Sequence, residues 1–257
     1  MEPALQKEKI IMCSGLRGGA GTTSLVAMLA DALQRLGHSV LAIDLNPQDL
    51  LRLHFNIPYA DKHGWMYGEL YNHGWSSQSY QITSNLWVLP YGRHGVVGSE
   101  AANPLNLQET TTRVWQSHAQ GLFAPQRLQQ FDWILIDAPV DTSAYTLLQQ
   151  QAALHVLVAP VDIAAHILLG QYSLGAKTKF IINKRDPSLE LKEAIALDWS
   201  MRYGSAQIPI SIPQDEHVPL ALAHKMPATT YYPQSAAAQS IQSLALWCMY
   251  SLGAADA

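Results

Sequence analysis

The feature of this sequence that most constrains its fold is a regular alternation of short apolar runs with longer amphipathic segments. The runs have the length of a β-strand and are nearly continuous in their apolar character. Strands of this kind are buried on both faces, as in a parallel sheet that is covered by helices. The runs lie at residues 9–13, 39–44, 86–90, 132–137, 154–159, 178–183 and 207–212.

Helical patterns fill the intervals between these runs. They are predicted at 22–36, 105–130, 143–151, 163–175, 188–202, 216–223 and 234–252. Strands that alternate with helices form right-handed β-α-β crossovers, so we predict an α/β fold with a doubly wound, mostly parallel sheet flanked by helices. We expect a single domain over residues 1–257, with its core at about 9–248 and short flexible termini.

One segment, residues 56–85, lacks clear periodicity and is rich in Gly, Trp, Tyr and His. We interpret it as an irregular surface excursion with two short helices. The alternative is a partner-docking surface, because aromatic residues are enriched at interfaces.

The composition excludes several classes of protein. A formal net charge of -4 and a pI near 6.2 argue against a nucleic-acid binder, and we interpret the basic cluster at 177–185 as solvated surface. Only Cys13 and Cys248 are present, so zinc, iron–sulfur and disulfide frameworks are not expected, and Cys13 is predicted in the core. The ten histidines are scattered, so no metal site other than one for Mg²⁺ is expected. Without a signal peptide or an apolar run of about 20 residues, the sequence predicts a cytoplasmic protein.

A glycine-rich stretch, LRGGAGTTS, follows the first apolar run and opens an amphipathic helix. Gly18, Gly19 and Gly21 allow backbone N–H groups to curl around a phosphate. The helix N-terminus adds its dipole and its free amides, and the Thr23 hydroxyl is suited to Mg²⁺. Alternatively, this is a glycine-rich turn that binds nothing.

Polar residues end three later strands. Asp44 in AIDLNPQ (42–48), Asp137 in FDWILIDAP (131–139) and Asn183 in FIINKRD (180–186) are each predicted at the carboxyl end of a strand. In an open α/β sheet, ligands bind outside the carboxyl ends of the strands, so these side chains are expected to converge on one crevice. The ordered set favours a nucleotide site over an unliganded turn.

On these residues the chain resembles the MinD/ParA ATPases. RGGAGTTS is similar to their deviant Walker A loop, K-G-G-x-G-K-[ST]-[ST], and the similarity runs from about residue 9 to about 248. The segment IPQDEHVPLALAHKMPATTYYPQSAAAQSIQSLA is similar to the C-terminal pattern of that family. Within it, the chain most resembles the members that serve cellulose biosynthesis, through RGGAGTT without its lysine, LLRLHFN (50–56), HGW (63–65), WVLPYG (87–92) and WILID (133–137).

The resemblance implies ATP and Mg²⁺ as cofactors and assigns a role to each matching residue. The phosphates would be wrapped by Gly18, Gly19, Ala20, Gly21, Thr22, Thr23 and Ser24. The adenine would be read by Asn183 and by the backbone of Pro213, Gln214 and Asp215. Mg²⁺ would be held by Thr23, Asp44 and Asp137. Arg17 matches the signature lysine, which reaches across an ATP-bound homodimer to the partner's nucleotide.

Two departures from the family bear on catalysis. Thr22 replaces the loop lysine, and Asn46 replaces the acid that orients the attacking water, beside Asp44 and Asp137 in the catalytic set. Phosphoryl transfer depends on positioned charge and on an oriented nucleophile. We therefore expect ATP to bind and to be hydrolysed slowly.

The resemblance also implies a cellular role: an ATP-loaded homodimer that supports the inner-membrane cellulose synthase, with a small BcsR-type partner and without direct contact to nucleic acid. The C-terminal helix carries no Lys or Arg after Lys225, so no intrinsic membrane anchor is expected and recruitment to the inner membrane is left to partners. Two alternatives stay open. One is an active ParA/MinD-type positioning ATPase for DNA, flagella or division, and the other is a nucleotide-free interaction module.

Overall fold

The computed structural model describes residues 9–70, 75–92, 130–140 and 146–253. Its strands are β1 (Lys9–Gly15), β2 (Val40–Asp44), β3 (Tyr80–Gln81), β4 (Leu86–Leu89), β5 (Trp133–Asp137), β6 (Leu154–Pro160), β7 (Thr178–Arg185) and β8 (Gln207–Pro213). Within the described residues they form one sheet in the order β3-β4-β2-β5-β1-β6-β7-β8. All neighbouring strands are parallel except the antiparallel pair β3–β4. The predicted α/β fold with a mostly parallel sheet is therefore confirmed.

Helices connect the strands as the sequence predicts. They are α1 (Thr22–Arg35), α2 (Trp65–Leu70), α3 (Thr146–Gln151), α4 (Ile163–Gln171), α5 (Glu190–Tyr203), α6 (His217–Ala223), α7 (Ala228–Tyr231) and α8 (Ala236–Gly253). Short 3₁₀ helices lie at Leu51–Phe55, Trp75–Gln78 and Gly204–Ala206. The helix predicted at 105–130 lies outside the described residues.

Several boundaries differ from the prediction. The helix predicted at 163–175 ends at Gln171, because Tyr172 adopts an extended backbone. The strand predicted at 178–183 continues to Arg185, which places two more residues at the carboxyl edge of the sheet. Residues 56–85 contain two short helices, as expected, and also β3, which the sequence pattern did not reveal.

Alternate residues of the central strands pack on opposite faces of the sheet. Ile11 and Cys13 of β1 join the core under α1 and α8, while Met12 joins the core on the other face. This two-sided burial is why the strand runs are continuously apolar. The C-terminal helix α8 buries Ile241, Leu244 and Cys248 in the first core, as predicted. Among the described residues, no helix has the length and apolar character required to cross a bilayer.

The parallel register brings the predicted site residues to one edge. Asp44 at the end of β2 is aligned with Asp137 at the end of β5, and Asp137 is aligned with Cys13 of β1. The glycine-rich loop leaves β1 two residues later. Asn183 lies on β7, next to the end of β6. These ends open on the same side, as the carboxyl ends of parallel strands must.

Candidate functional site

The loop from Leu16 to Gly21 presents free backbone donors. Gly19 and Gly21 have φ angles of 73° and 90°, which residues with a Cβ rarely adopt. Within the described residues, the amides of Gly18, Gly19 and Gly21 donate no hydrogen bond. Gly21 is the N-cap of α1 and offers no side-chain cap, so the first-turn amides of that helix are also free. This concentration of unpaired N–H groups is an arrangement that binds an anion.

Gly15 is a site residue that the sequence reasoning missed. A Cβ on Gly15 would lie 2.9 Å from the Ala20 Cβ, 2.9 Å from the Thr22 Oγ1 and 3.0 Å from the Arg17 carbonyl oxygen. The loop therefore folds back directly onto the end of β1. A glycine that precedes the motif is the only signal of this packing in the sequence.

Asp44 and Asp137 are both buried at neighbouring strand ends but differ in their bonding. Asp44 accepts hydrogen bonds from the backbone amides of Asn46, at 2.8 Å, and Leu51, at 3.0 Å. Burial, together with the charges of Asp137 and Asp49, raises the pKa of Asp44 well above its ordinary value, and the two amides oppose this rise. Asp44 thus shapes the segment that follows β2.

Asp137 has no such support. It is 1% exposed, and neither carboxylate oxygen has a hydrogen-bond partner. Burial raises the pKa of Asp137 to about 7, and the nearby Thr23 hydroxyl opposes this rise although it does not form a regular hydrogen bond. A buried, unpartnered carboxylate is costly unless a cation or a donor completes it.

The two positions that depart from the family lie at this edge as well. The Thr22 hydroxyl lies against Gly15, beneath the loop. The side-chain oxygen of Asn46 accepts the amide of Gln48 at 3.2 Å, and the backbone N–H of Asn46 donates to Asp44. Asn46 is therefore an amide-bearing turn residue beside Asp44, and it carries no carboxylate.

Residues at the end of β7 hold the loop from outside. The Asn183 side-chain amide donates to the Ala20 carbonyl at 2.7 Å, and the Lys184 ammonium donates to the Gly19 carbonyl at 2.8 Å. A Cβ on Gly21 would lie 2.6 Å from the Asn183 amide nitrogen. Asn183, 7% exposed, is thus packed against the loop as well as facing the crevice.

A cavity of about 270 Å³ adjoins this contact. Its walls include six of the predicted nucleotide-binding residues: Gly21, Ser24, Asn183, Pro213, Gln214 and Asp215. The apolar part of the wall comes from Leu25, Met28, Ile212, Val218 and Leu222. A mostly apolar cleft with a few amide and backbone groups is suited to a planar base.

Arg17 is engaged within the protomer. Its guanidinium forms an ion pair with Asp162 and donates to the Gly18 carbonyl at 2.8 Å. Asp162 is also the N-cap of α4, where its side chain accepts the Ala165 amide at 2.9 Å. Burial acts to raise the pKa of Asp162, but the hydrogen bonds from Arg17 and from the helix amides outweigh it and lower this pKa. The ion pair with Asp162 was not predictable from the sequence, because 145 residues separate the two partners.

The basic side chains at 177–185 bond to other parts of the protein, in addition to lying at the solvated surface that the sequence predicts. Lys177 donates to the carbonyls of Gln150 and Ala152, and Lys179 donates to that of Ser205. Arg185 forms an ion pair with Glu193. Their partners are backbone carbonyls and one carboxylate on other segments of the chain. A cluster of charges in the sequence does not predict such partners.

The family profile and the most similar sequences agree on one protein family. The sequence profile described as "Cellulose biosynthesis protein BcsQ" matches residues 8–249. The protein of that name from Salmonella typhimurium LT2 is 36% identical over 241 residues, covering 93% of this chain and 94% of the relative. The one from Escherichia coli K12 is 32% identical over the same coverage.

Solved structures with the same fold include cell-division proteins. The MinD protein of Aquifex aeolicus is 19% identical, with a TM-score of 0.69 over 94% of this chain and 97% of that chain. The septum site-determining protein MinD from Pyrococcus horikoshii OT3, complexed with Mg-ADP, is 22% identical, with a TM-score of 0.63 over 93% of this chain and 94% of that chain. At these identities the likeness shows a shared fold.

Proposed function

The chain belongs to the BcsQ family of cellulose biosynthesis proteins, and from this premise we propose that it is an ATP- and Mg²⁺-dependent, dimerising member of the MinD/ParA-like fold that hydrolyses ATP slowly. In this proposal its ATP-bound state supports the assembly or activity of the bacterial cellulose synthase. The whole of residues 1–257 acts as one nucleotide-binding domain.

The observation that carries the proposal is the unpartnered carboxylate of Asp137. It lies beside the Thr23 hydroxyl and within an edge that otherwise offers free amides. Hard oxygen ligands of this type fit Mg²⁺, which is usually held by one or two carboxylates together with substrate phosphates. Asp44, whose oxygens each accept one amide, would add charge beside Asp137. When bound, Mg²⁺ would neutralise charge on the phosphates.

The remaining residues would bind and orient the nucleotide. Amides of Gly18, Gly19, Gly21 and the first turn of α1 would receive the phosphates, and Thr22 and Ser24 would contribute through that turn. The base would enter the cavity between Asn183 and the segment Pro213 to Asp215. Because one amide hydrogen of Asn183 is used by Ala20, the second hydrogen is the one available to an adenine edge.

Slow hydrolysis is expected from what the two departing residues can do. Thr22 offers no cation to the phosphates, and Asn46 can hydrogen-bond a water without accepting its proton. Loss of one positioned charge or donor typically raises a barrier by about 2.7–4 kcal/mol. The resting state in this proposal is an ATP-loaded dimer.

The cellular part of the proposal follows the family. Curated relatives carry the name cellulose biosynthesis protein, and we place this chain with inner-membrane synthase components and a small BcsR-type partner. Recruitment from the cytoplasm to the membrane would depend on those partners. Loss of cellulose production on deletion, restored by the wild-type gene, would support this part of the proposal; unchanged production would contradict it.

Isothermal titration with ATP tests the site itself. We expect wild-type protein to bind ATP more tightly with Mg²⁺ than with EDTA, and Asp137→Asn to remove that difference because the unpartnered carboxylate is gone. Asp132→Asn, at the other end of β5, is the matched control and should keep the Mg²⁺ dependence. Absence of ATP binding by the wild type would refute the proposed function.

Single-turnover hydrolysis tests the slow chemistry. Asn46→Asp restores an acid at the position where relatives of the MinD/ParA type carry one, and we expect it to raise the rate at least tenfold because an ordered water gains a proton acceptor. Fast turnover by the unassisted wild type would contradict the proposal. Strong stimulation of the wild type by a partner would instead assign the slow rate to the missing partner.

A further inference from the structure

The glycine-rich loop has no lysine of its own, yet one ammonium group touches it. Lys184, at the end of β7, places its Nζ 2.8 Å from the Gly19 carbonyl oxygen. The other cation at the loop, Arg17, is paired with Asp162. Among the described residues no carboxylate forms an ion pair with Lys184. Within the described part of the chain, the charge of Lys184 is therefore left beside the loop without a carboxylate to compensate it.

The backbone at Lys184 is held in an uncommon conformation. Its φ angle is 55°, in the left-handed region that residues with a side chain seldom occupy. Its N–H donates to the Asn183 side-chain oxygen at 2.9 Å, and its carbonyl accepts from Lys192 at 3.3 Å. Such conformations persist where the surroundings fix them, and they are concentrated at functional sites. Here the conformation turns the Lys184 side chain back onto the loop.

Asn183 and Lys184 together bind two consecutive carbonyls of the loop. Asn183 binds that of Ala20 and Lys184 binds that of Gly19. In a trans peptide the C=O and N–H groups point in opposite directions. Holding the Ala20 carbonyl toward β7 therefore directs the Gly21 N–H away from β7. The Asn183 contact thus fixes the Ala20–Gly21 peptide, whose amide would receive a phosphate. The Lys184 contact fixes the preceding Gly19–Ala20 peptide, whose N–H donates to the Arg17 carbonyl at 3.3 Å.

On the basis of the proposed function, we propose that Lys184 serves the phosphate loop in place of the lysine that is absent at Thr22. Lys184 fixes the Gly19–Ala20 peptide and adds an uncompensated positive charge beside the bound phosphates. Thr22 cannot supply that charge, since its side chain is a hydroxyl that lies against Gly15. In this arrangement the strand β7, rather than the loop, carries the cation, and Lys184 acts as a positioning residue for ATP.

The test compares three variants of the full chain: Lys184→Gln, Lys184→Arg and Lys179→Gln. Lys179 is a matched control, because it lies on the same strand and its Nζ also donates to a backbone carbonyl, that of Ser205, at 2.6 Å. ATP with Mg²⁺ is titrated at low and high salt. Adenosine, which occupies the same cavity without phosphates, is measured as a competitor.

Lys184→Gln should lower ATP affinity about tenfold, as expected for loss of a charged hydrogen-bonding group. Adenosine affinity should change less than about twofold, and the salt dependence of ATP binding should become shallower because one cation is gone. Lys184→Arg should restore most of the affinity, and Lys179→Gln should behave as wild type.

Two results would overturn the inference while leaving ATP binding by the wild type intact. In the first, Lys184→Gln binds ATP as the wild type does. In the second, ATP and adenosine affinities fall equally with an unchanged salt dependence, which assigns Lys184 a purely structural contact. A wild type that binds no ATP would overturn the proposed function and this inference with it.

Discussion

At the scale of single residues, Asp44 and Asp137 show how differently two carboxylates can be used at adjacent strand ends. Both are buried, and they are aligned in register. Asp44 is satisfied by two backbone amides and so organises the chain that follows β2, whereas Asp137 is left without a donor. Because an unpaired buried charge is destabilising, Asp137 is the one of these two carboxylates that would gain more from a cation.

Gly15 carries a residue-scale prediction. In Gly15→Ala the new Cβ would lie 2.9 Å from Ala20 and Thr22, so the loop must move away from β1. Small-to-large changes in packed sites cost about 1–3 kcal/mol. We expect a loss of that size in the free energy of unfolding, measured by denaturant titration without nucleotide, and a weakened affinity for ATP.

Gly18→Ala is the matched control for this prediction. A Cβ on Gly18 would meet no atom within 4 Å, and its backbone does not lie in the left-handed region. Its unfolding free energy without nucleotide should therefore remain close to that of the wild type. Equal stability of Gly15→Ala and Gly18→Ala would show that the packing of the loop on β1 contributes nothing.

At the scale of elements, the sequence predicts what is local or periodic. Continuous apolar runs identify the buried strands, and the glycine pattern together with Asp44 and Asp137 predicts a candidate site at the carboxyl edge. The partners of Arg17 and Lys184 were not predictable, because Asp162 and Gly19 lie 145 and 165 residues away in sequence. Those contacts depend on the order of strands in the sheet, and the hydrophobic periodicity of the sequence does not predict that order.

The two-residue strand β3 and the short helix α7 were also not predictable from the sequence. Elements of this length have no periodicity to detect, and they form because a neighbouring strand or helix is already in place. Tyr80 and Gln81 pair with Val88 and Trp87 of β4, so β3 exists as an addition to the sheet edge. The β-strand propensity of two residues cannot predict this pairing.

The pairing of β1 with β6 supports an element-scale prediction about pH. His155 of β6 and Ser14 of β1 form a buried hydrogen bond of 2.8 Å, and burial lowers the pKa of His155 from 6.5 to about 4. Between those values the unfolded chain takes up a proton that the folded protein does not. Stability contributed by neutral His155 is thus present above pH 6.5 and is lost as the pH falls, by about 1.4 kcal/mol per pH unit.

The comparison of wild type with His155→Gln isolates this effect. Glutamine places an amide near the position of Nε2 and does not titrate, so its unfolding free energy should decline less between pH 6.5 and pH 4.5. Asp44, Asp137 and His54 titrate in both proteins and cancel in the difference. Identical pH dependence of the two unfolding curves would contradict the prediction.

At the scale of the whole molecule, β1 lies where the strand order reverses. Its neighbours are β5 on one side and β6 on the other; the chain leaves β1 toward β2 on the β5 side, whereas it leaves β6 toward β7 on the opposite side. Open α/β sheets form their ligand crevice at such a point. The glycine-rich loop, Asp137 and the ion pair of Arg17 with Asp162 all lie around this reversal, so the candidate nucleotide site and the N-terminus of α4 are close together.

This proximity leads to a prediction about assembly. Asp162 holds the Arg17 guanidinium within the protomer and so competes with a contact of Arg17 to a second protomer. The helix α4, whose N-cap is Asp162, exposes Ile163 and Ile167 by 48% and 54%. Asp162→Asn removes the competing charge while its side-chain oxygen can still cap α4. Since a partly exposed ion pair contributes up to about 1 kcal/mol, we expect the ATP-bound dimer to tighten by up to roughly fivefold.

Sedimentation velocity over a concentration series, in saturating ATP and Mg²⁺, measures this change. Arg17→Ala should weaken the dimer, and the double variant should resemble Arg17→Ala because Asp162 acts only through Arg17. Asp198→Asn, which removes the carboxylate that pairs with Arg202 on α5, is the control and should leave dimerisation unchanged. A weaker dimer in Asp162→Asn would mean that the ion pair belongs to the dimer itself, and that Arg17 does not exchange partners when the protomers associate.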